Sequence, residues 1–351
     1  MSLHLLGAAA ALTQLDAFDS VIDARSESEF ALDHLPGAIN WPTLHDAERQ
    51  LIGTLYVQVS QFEAKKRGAA LAARNIAAHI ERELLVQPKG WRPLAYCWRG
   101  GKRSGALALI LDQIGFRVTL LEGGYKAFRA ALVADIAARV AALDLRVVCG
   151  STGSGKTRLL HALAACGAQV LDLEALANHR SSVVGAVVGL AQPSHTRFDT
   201  LIWDALRRFD PARPVFIESE SKKVGNVALP LALVDRMRHA PCLNLRLPHA
   251  ERVALLLEDY DCFLQDTDYF FERLDVLATF RGKTLVQSWK DLVHAGQVQQ
   301  VVSELLTTHY DPGYRASMPR NFLRYAEAAE IEAKDRSAAS MLTLARGLLG
   351  Q

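Results

Sequence analysis

Residues 145–166, LRVVCGSTGSGKTRLLHALAAC, read as a short apolar strand, a glycine-rich turn and a helix. Inside them, Gly150-Ser151-Thr152-Gly153-Ser154-Gly155-Lys156-Thr157 matches the phosphate-loop pattern G-x-x-x-x-G-K-[ST] at every fixed position. The strand before it and the helix after it are the context that pattern needs. The glycines let successive backbone N–H groups converge on phosphate oxygens at the positive end of a helix. Lys156 adds a point charge and Thr157 is a candidate Mg2+ ligand. The partner strand of such a loop normally ends in Asp, whereas VFIESESKK, from Val215, ends in Glu218. Glu218, Glu220 or Asp172, at the end of VLDLE, are therefore the candidate acid or Mg2+ residues, and a solvated strand-end charge explains any one of them equally well. The loop can hold a nucleotide or only a diphosphate.

Upstream, residues 96–111, YCWRGGKRSGALALIL, repeat the design with a sulfur in place of the lysine. Cys97 ends an apolar strand, Trp98, Arg99, Gly100 and Gly101 make a loop, and a helix is expected to begin near Ser104. The thiol then faces amide N–H groups and a helix N-terminus, beside Arg99, Lys102 and Arg103. Those dipoles and charges favour thiolate and suit an anionic chalcogen group next to it, so Cys97 reads as a nucleophile or a sulfur or selenium carrier. A buried inert cysteine is the bland alternative.

The segments DSVIDAR, LAYCW and FRVTLLEGG, then AQVLDLE and RPVFIES, are short apolar strands that alternate with helical patterns. That alternation predicts α/β architecture with parallel sheets covered on both faces. The amphipathic YKAFRAALVADIAARVAAL ends at a boundary near Ala142 to Leu145, which divides the chain into a first α/β domain (1–143), a P-loop domain (144–300) and a helical C-terminal extension (301–351). With 351 residues, 50% hydrophobic and 22% charged, two cores are expected. Lys+Arg 40 against Asp+Glu 38 leaves +2, so binding of nucleic acid must use local basic patches. The start, MSLHLLGAAAALTQL, lacks a basic leader region and is followed by Asp16 and Asp19; export and membrane insertion are not expected, and a cytoplasmic location is. Five scattered cysteines without a CxxC pair agree with a reducing compartment. Cys149 and Cys166 read as small core residues, and Cys242 and Cys262 have no assigned role.

Asp23-Ala24-Arg25 followed by Glu29-Phe30, HLPGAINWP (34–42), Cys97 with its loop and EGGYKAFR (122–129) resemble a rhodanese domain. The order rhodanese then P-loop, with GTLYVQVSQFEAKKRGAAL, CWRGGKRS, GSTGSGKT, DLEALANHR, ESESKKVGN and HYDPGY, resembles the tRNA 2-selenouridine synthases nearly end to end. One departure is Ser181, where the family's HRGS has Gly. The resemblance implies a transferase acting on 2-thiouridine at the wobble position of a tRNA anticodon loop. The nucleoside is S-geranylated from geranyl diphosphate, and selenium from selenophosphate then replaces the geranylthio group. It implies that Cys97 serves selenation, that Gly150 to Thr157 cradle a diphosphate, and that a selenophosphate supply enzyme is a partner.

The basic clusters expected to meet RNA are, first, Lys65, Lys66 and Arg67, and Lys222 with Lys223. Arg99 with Lys102 and Arg103, Arg207-Arg208, and Arg315, Arg320 and Arg324 near Tyr314 and Tyr325 follow. SVVGAVVGLAQP (182–193) is a candidate prenyl groove. Two other readings keep both loops: a nucleotide-assisted rhodanese sulfurtransferase for a small thiol acceptor, and a non-catalytic nucleotide-gated redox scaffold.

Overall fold

The computed structural model describes residues 3–180, 190–259 and 267–351. The chain forms two compact units, Met1–Ala137 with Pro193–Asp204, and Ala138–Gln192 with Ala205–Gln351.

In the first unit, β1 (His4–Leu6), β2 (Ser20–Asp23), β3 (Ala38–Asn40), β4 (Pro93–Tyr96) and β5 (Thr119–Leu121) make one sheet in the order β1-β5-β4-β2-β3. Every pairing is parallel. β2 and β4 are the apolar segments read from the sequence, and β4 is buried at all four positions. Their central place follows, because a strand covered on both faces must be apolar throughout. β1 comes from the apolar start of the chain and closes the edge beside β5. Trp41, Trp91, Leu107, Leu111 and Phe116 fill the core, with Cys97 at its margin.

A buried ion pair organises the Cys97 end of this sheet. Arg25 binds the Asp23 carboxylate through Nε (3.0 Å) and Nη2 (2.6 Å), and the Tyr96 hydroxyl donates to the same carboxylate at 2.7 Å. Asp33 is likewise buried, accepting from the hydroxyls of Tyr125 (2.7 Å) and Thr200 (2.9 Å). Thr200 belongs to the His195–Leu206 helix, whose Trp203 packs edge-on against Phe128. The chain thus returns to its first unit after the P-loop, which no linear reading of motifs contains.

In the second unit, β6 (Leu145–Cys149), β7 (Gln169–Leu171) and β8 (Val215–Glu218) precede a small antiparallel hairpin, β9 (Lys223–Val224) with β10 (Val227–Ala228). β11 (Cys242–Arg246) and β12 (Ala329–Glu332) complete a second five-stranded parallel sheet, ordered β12-β11-β6-β8-β7. The region after Ala250 is mainly helical, with a separate helical core around Phe270, Leu274, Trp289 and Val301. Ala329–Glu332 differs: it lies within a stretch read as helix, yet it is the edge strand beside β11. The pairing made by β11 overrides a weak helical signal there.

The C-terminal helix Ala338–Leu349 is equally part of the sheet domain. Met341 and Ala345 are buried against Leu159, Leu160 and Leu163 of the Lys156–Ala165 helix. A Cβ on Gly155, at φ +86°, would come within 2.8 Å of Met341 Cε, so this helix packs directly on the phosphate loop. Met341→Ala is expected to cost about 2–3 kcal/mol through the cavity it leaves, read as a lower urea midpoint of the full chain.

Both glycine loops follow the central strand of their own sheet, β4 and β6. In each sheet the connections leave that region in opposite directions, the arrangement at which α/β sheets commonly bind ligands.

Candidate functional site

The first loop begins at Cys97, immediately after β4. Its helix, Lys102–Ile114, starts two residues earlier than the sequence indicates. Gly101 N–H points at Cys97 Sγ from 3.2 Å and the buried Ser104 hydroxyl from 3.1 Å, so two donors converge on the sulfur. Cys97 as a residue is only 3% exposed, whereas Trp98, Arg99, Gly100, Gly101 and Lys102 around it are exposed. The sulfur therefore forms the floor of the loop rather than its rim. Behind it, Gly124 at φ +59° is required: a Cβ there would overlap the Cys97 carbonyl oxygen and the Gly100 nitrogen. Tyr125 N–H and Lys126 N–H donate to the carbonyls of Cys97 (2.8 Å) and Trp98 (3.0 Å), turning those oxygens away and leaving the loop's own amides for an anion.

Of the three cations read onto this loop, two remain exposed, Arg99 and Lys102. Arg103 does not serve as a free charge: its Nη1 lies 2.6 Å from Glu29, which also pairs with Arg49. Trp98 is 40% exposed and stacks on Tyr125 with centroids 5.4 Å apart.

The second loop follows β6 and opens a cavity of about 780 Å³ lined by Thr152 to Arg158, Asp172, Glu174 and Glu220, with Leu255, Leu256, Met318 and Phe322 supplying apolar surface. Ser154 is buried, and Lys156 Nζ lies 2.7 Å from Gly150 O, reaching back across the turn. Leu190 and Arg180 also line the cavity. Arg180 reaches the Asp259 carbonyl. Ser181, residues 182–189 of the apolar segment and Cys262 lie outside the described residues.

The carboxylates read as acid or Mg2+ candidates make different hydrogen bonds. Asp172 caps the Leu173–Leu176 helix, accepting from Ala175 N–H at 2.8 Å, and pairs with His161 at 3.1 Å. Glu218 is 3% exposed; its Oε1 accepts from Glu174 N–H at 2.6 Å. Burial, with the charges of Asp172, Glu174 and Glu220, holds its carboxyl well above the ordinary range. Thr157 donates instead to Glu174, at 3.2 Å, a residue the motif does not single out. Among the described residues no three His, Cys, Asp or Glu side chains converge as a metal set.

Glu218 makes stability depend on pH. Its folded form binds a proton more tightly than the unfolded chain does, so its stabilisation is complete below the ordinary glutamate range and is lost as pH rises through the raised folded value. Glu218→Gln keeps an acceptor for Glu174 N–H without the titration. The variant's unfolding midpoint is expected to exceed that of the parent increasingly between about pH 5 and pH 8. A constant difference across that range would show that Glu218 is ionised throughout.

The basic clusters are all at the surface. Lys65, Lys66 and Arg67 are exposed on the Gln61–His79 helix, and Lys66 pairs with Glu63. Tyr56, Val57, Val59 and Phe62 are exposed nearby, where this helix meets the Asp46–Gln58 helix, which buries no residue. Lys222 and Lys223 are exposed at the β9–β10 hairpin. Arg208, Arg315, Arg320 and Arg324 are exposed, and Arg324 pairs with Glu327. Cys149 and Cys242 are buried. No helix among the described residues is long and apolar enough to cross a membrane.

Residues 143–272 match the tRNA 2-selenouridine synthase AAA domain, and residues 8–131 match the rhodanese-like domain. A tRNA 2-selenouridine synthase of Marinobacter nauticus is 32% identical over 326 residues, which span 84% of this chain and 87% of that protein. One from Sulfurovum sp. is 30% identical over 351 residues, 89% of this chain and 93% of that one. One from Nitrosomonas europaea is 36% identical over 254 residues, 71% of this chain and 66% of that one.

Proposed function

Since the chain belongs to the tRNA 2-selenouridine synthase family, we propose that it converts 2-thiouridine at the wobble position of a tRNA to 2-selenouridine by way of an S-geranyl intermediate. In the first step the thiocarbonyl sulfur attacks C1 of geranyl diphosphate. The C–O bond breaks, diphosphate leaves with the bonding pair, and the nucleoside gives up its N3 proton. Gly150 to Thr157 hold that diphosphate, because converging amides and the Lys156 ammonium stabilise the charge that grows on it. The apolar surface of Leu255, Leu256, Met318 and Phe322 beside the loop suits a hydrocarbon substituent.

In the second step selenium from selenophosphate enters at C2 as geranylthiolate leaves with the bonding pair, and water releases the phosphate. The Cys97 loop, with its Gly101 amide and exposed Arg99 and Lys102, holds the selenophosphate anion, and Cys97 serves this step. The anticodon loop is met by exposed aromatic and basic side chains. Tyr56 and Phe62 beside Lys65, Lys66 and Arg67 make the better platform, pairing stacking surfaces with phosphate neutralisation, and Lys222 and Lys223 add charge at the second unit. A selenophosphate-producing enzyme is the partner that supplies the second step, and a cytoplasmic location goes with a tRNA substrate.

The observation that carries this reading is the presence of two anion cradles on one chain, one built around a sulfur and one around a lysine, each at the carboxyl end of a central strand. The test is nucleoside mass spectrometry of thiolated tRNA incubated first with geranyl diphosphate and then with selenophosphate. The expected products appear in order, S-geranyl-2-thiouridine and then 2-selenouridine. Selenium transfer to a small thiol with no change to the tRNA would sink the reading.

A further inference from the structure

The Asp311–Asn321 helix lies beyond residues 143–272, the span of the P-loop family match, yet it touches the loop at its first residue. Gly150 N–H donates to Tyr314 Oη at 2.6 Å. A second link runs through Arg252, which donates from Nε (3.0 Å) and Nη2 (2.8 Å) to Thr152 O. The same guanidinium grips the Asp311 carboxylate through Nη1 (3.0 Å) and Nη2 (2.7 Å). The helix is therefore fastened to the loop at Gly150 and at Thr152. This fixes where the Tyr314 side chain sits, on the wall of the cavity that also exposes Gly155, Lys156 and Thr157.

The chemistry of that phenol is constrained. Burial foremost, then the neighbouring Cys149 and Tyr325, push it well above the ordinary tyrosine range, so it is neutral near pH 7. An oxygen that accepts one N–H still has its own proton to donate. Its other hydroxyl neighbours, Ser219 and Tyr325, are uncharged. A phosphate oxygen on the loop is charged and makes the stronger acceptor.

We propose that Tyr314 is a binding residue for the anion on the phosphate loop: its hydroxyl accepts from Gly150 N–H and donates to a non-bridging oxygen of the diphosphate. The Asp311–Asn321 helix thereby completes a cradle otherwise made of backbone amides and Lys156. This inference rests on the diphosphate reading of the loop given above.

Titration calorimetry of the full chain with inorganic pyrophosphate tests it, using the parent protein, Lys156→Ala and Tyr314→Phe. Phenylalanine keeps the ring against Tyr325 but leaves Gly150 N–H without its acceptor, so the unfolding midpoint should fall modestly and the variant should still fold. Pyrophosphate affinity should fall about tenfold, the size expected for one hydrogen bond to a charged group. A second readout separates contact with the anion from mere bracing of the loop. With 3-fluorotyrosine at position 314, the fluorine resonance reports ionisation of the phenol. Bound pyrophosphate should move that ionisation to higher pH, since an anion accepting the proton disfavours phenolate. Cys149 and Tyr325 face the phenol with and without the ligand, so they cancel in the comparison. If Lys156→Ala loses pyrophosphate while Tyr314→Phe binds it normally, or if the ionisation does not move, the Tyr314 assignment is overturned and the loop reading stands. If the parent protein does not bind pyrophosphate at all, the loop reading fails first.

Discussion

Cys97→Ser is expected to abolish 2-selenouridine formation, a fall of about 10³-fold or more, while S-geranyl-2-thiouridine should still form and accumulate. Serine is close to isosteric, and the Gly101 amide and Ser104 hydroxyl that now meet Sγ would still find an oxygen to donate to. What disappears is the sulfur itself, a far better nucleophile and chalcogen carrier than a hydroxyl oxygen. Geranylation is spared because its leaving group belongs to the other loop. Since Cys97 lies at the edge of the first core, the unfolding midpoint is measured alongside, and a substantial fall in it would make the loss of product uninformative about chemistry. The decisive measurement is the nucleoside profile of tRNA given both donors: normal 2-selenouridine from the serine variant removes Cys97 from the mechanism.

Lys156→Ala should have the complementary effect. Geranyl transfer is expected to slow about 100-fold, comparable to removing one preorganised donor from a developing oxyanion. The ammonium lies 2.7 Å from Gly150 O, held over the loop by its own backbone. It is thus positioned before the donor arrives, and little reorganisation is needed as diphosphate departs. Its contribution grows with the charge on the leaving group, so kcat should fall more than KM rises. Selenation of tRNA that already carries the S-geranyl group should be unaffected, which separates a loss at this loop from general damage. Unchanged geranylation kinetics would count against the role of Lys156, and loss of both steps together would point to misfolding.

The two loops are legible in the sequence because they are local. A strand, a glycine turn and a helix N-terminus occupy about 20 consecutive residues, and their amide donors converge through backbone conformation alone. For the same reason Cys97, Lys156 and the strands before them, β4 and β6, can be named from apolar runs and punctuation, although their central place in each sheet comes from the topology. Single residues are harder. Arg103 reads as a free cation beside the sulfur and is occupied by Glu29, a partner 74 positions away. Thr157 donates to Glu174, a residue the motif does not name, and Asp172 also caps a helix. These outcomes depend on which side chains a fold brings within about 3 Å, and spacing along the chain carries no such information.

By itself, then, the sequence determined two α/β halves, their main apolar strands, and the backbone loops read as able to hold negative charge. Only the tertiary structure decided that Ala329–Glu332 completes the second sheet, that Met341 packs on Gly155, that Thr200 returns to Asp33, and that Tyr314 reaches Gly150 from 164 residues downstream. The division has a physical cause. Turns and helix ends are set by neighbouring residues, whereas burial, ion-pair choice and hydrogen-bond partners across the chain are settled by whatever packing removes the most apolar surface while leaving the fewest polar groups unpaired.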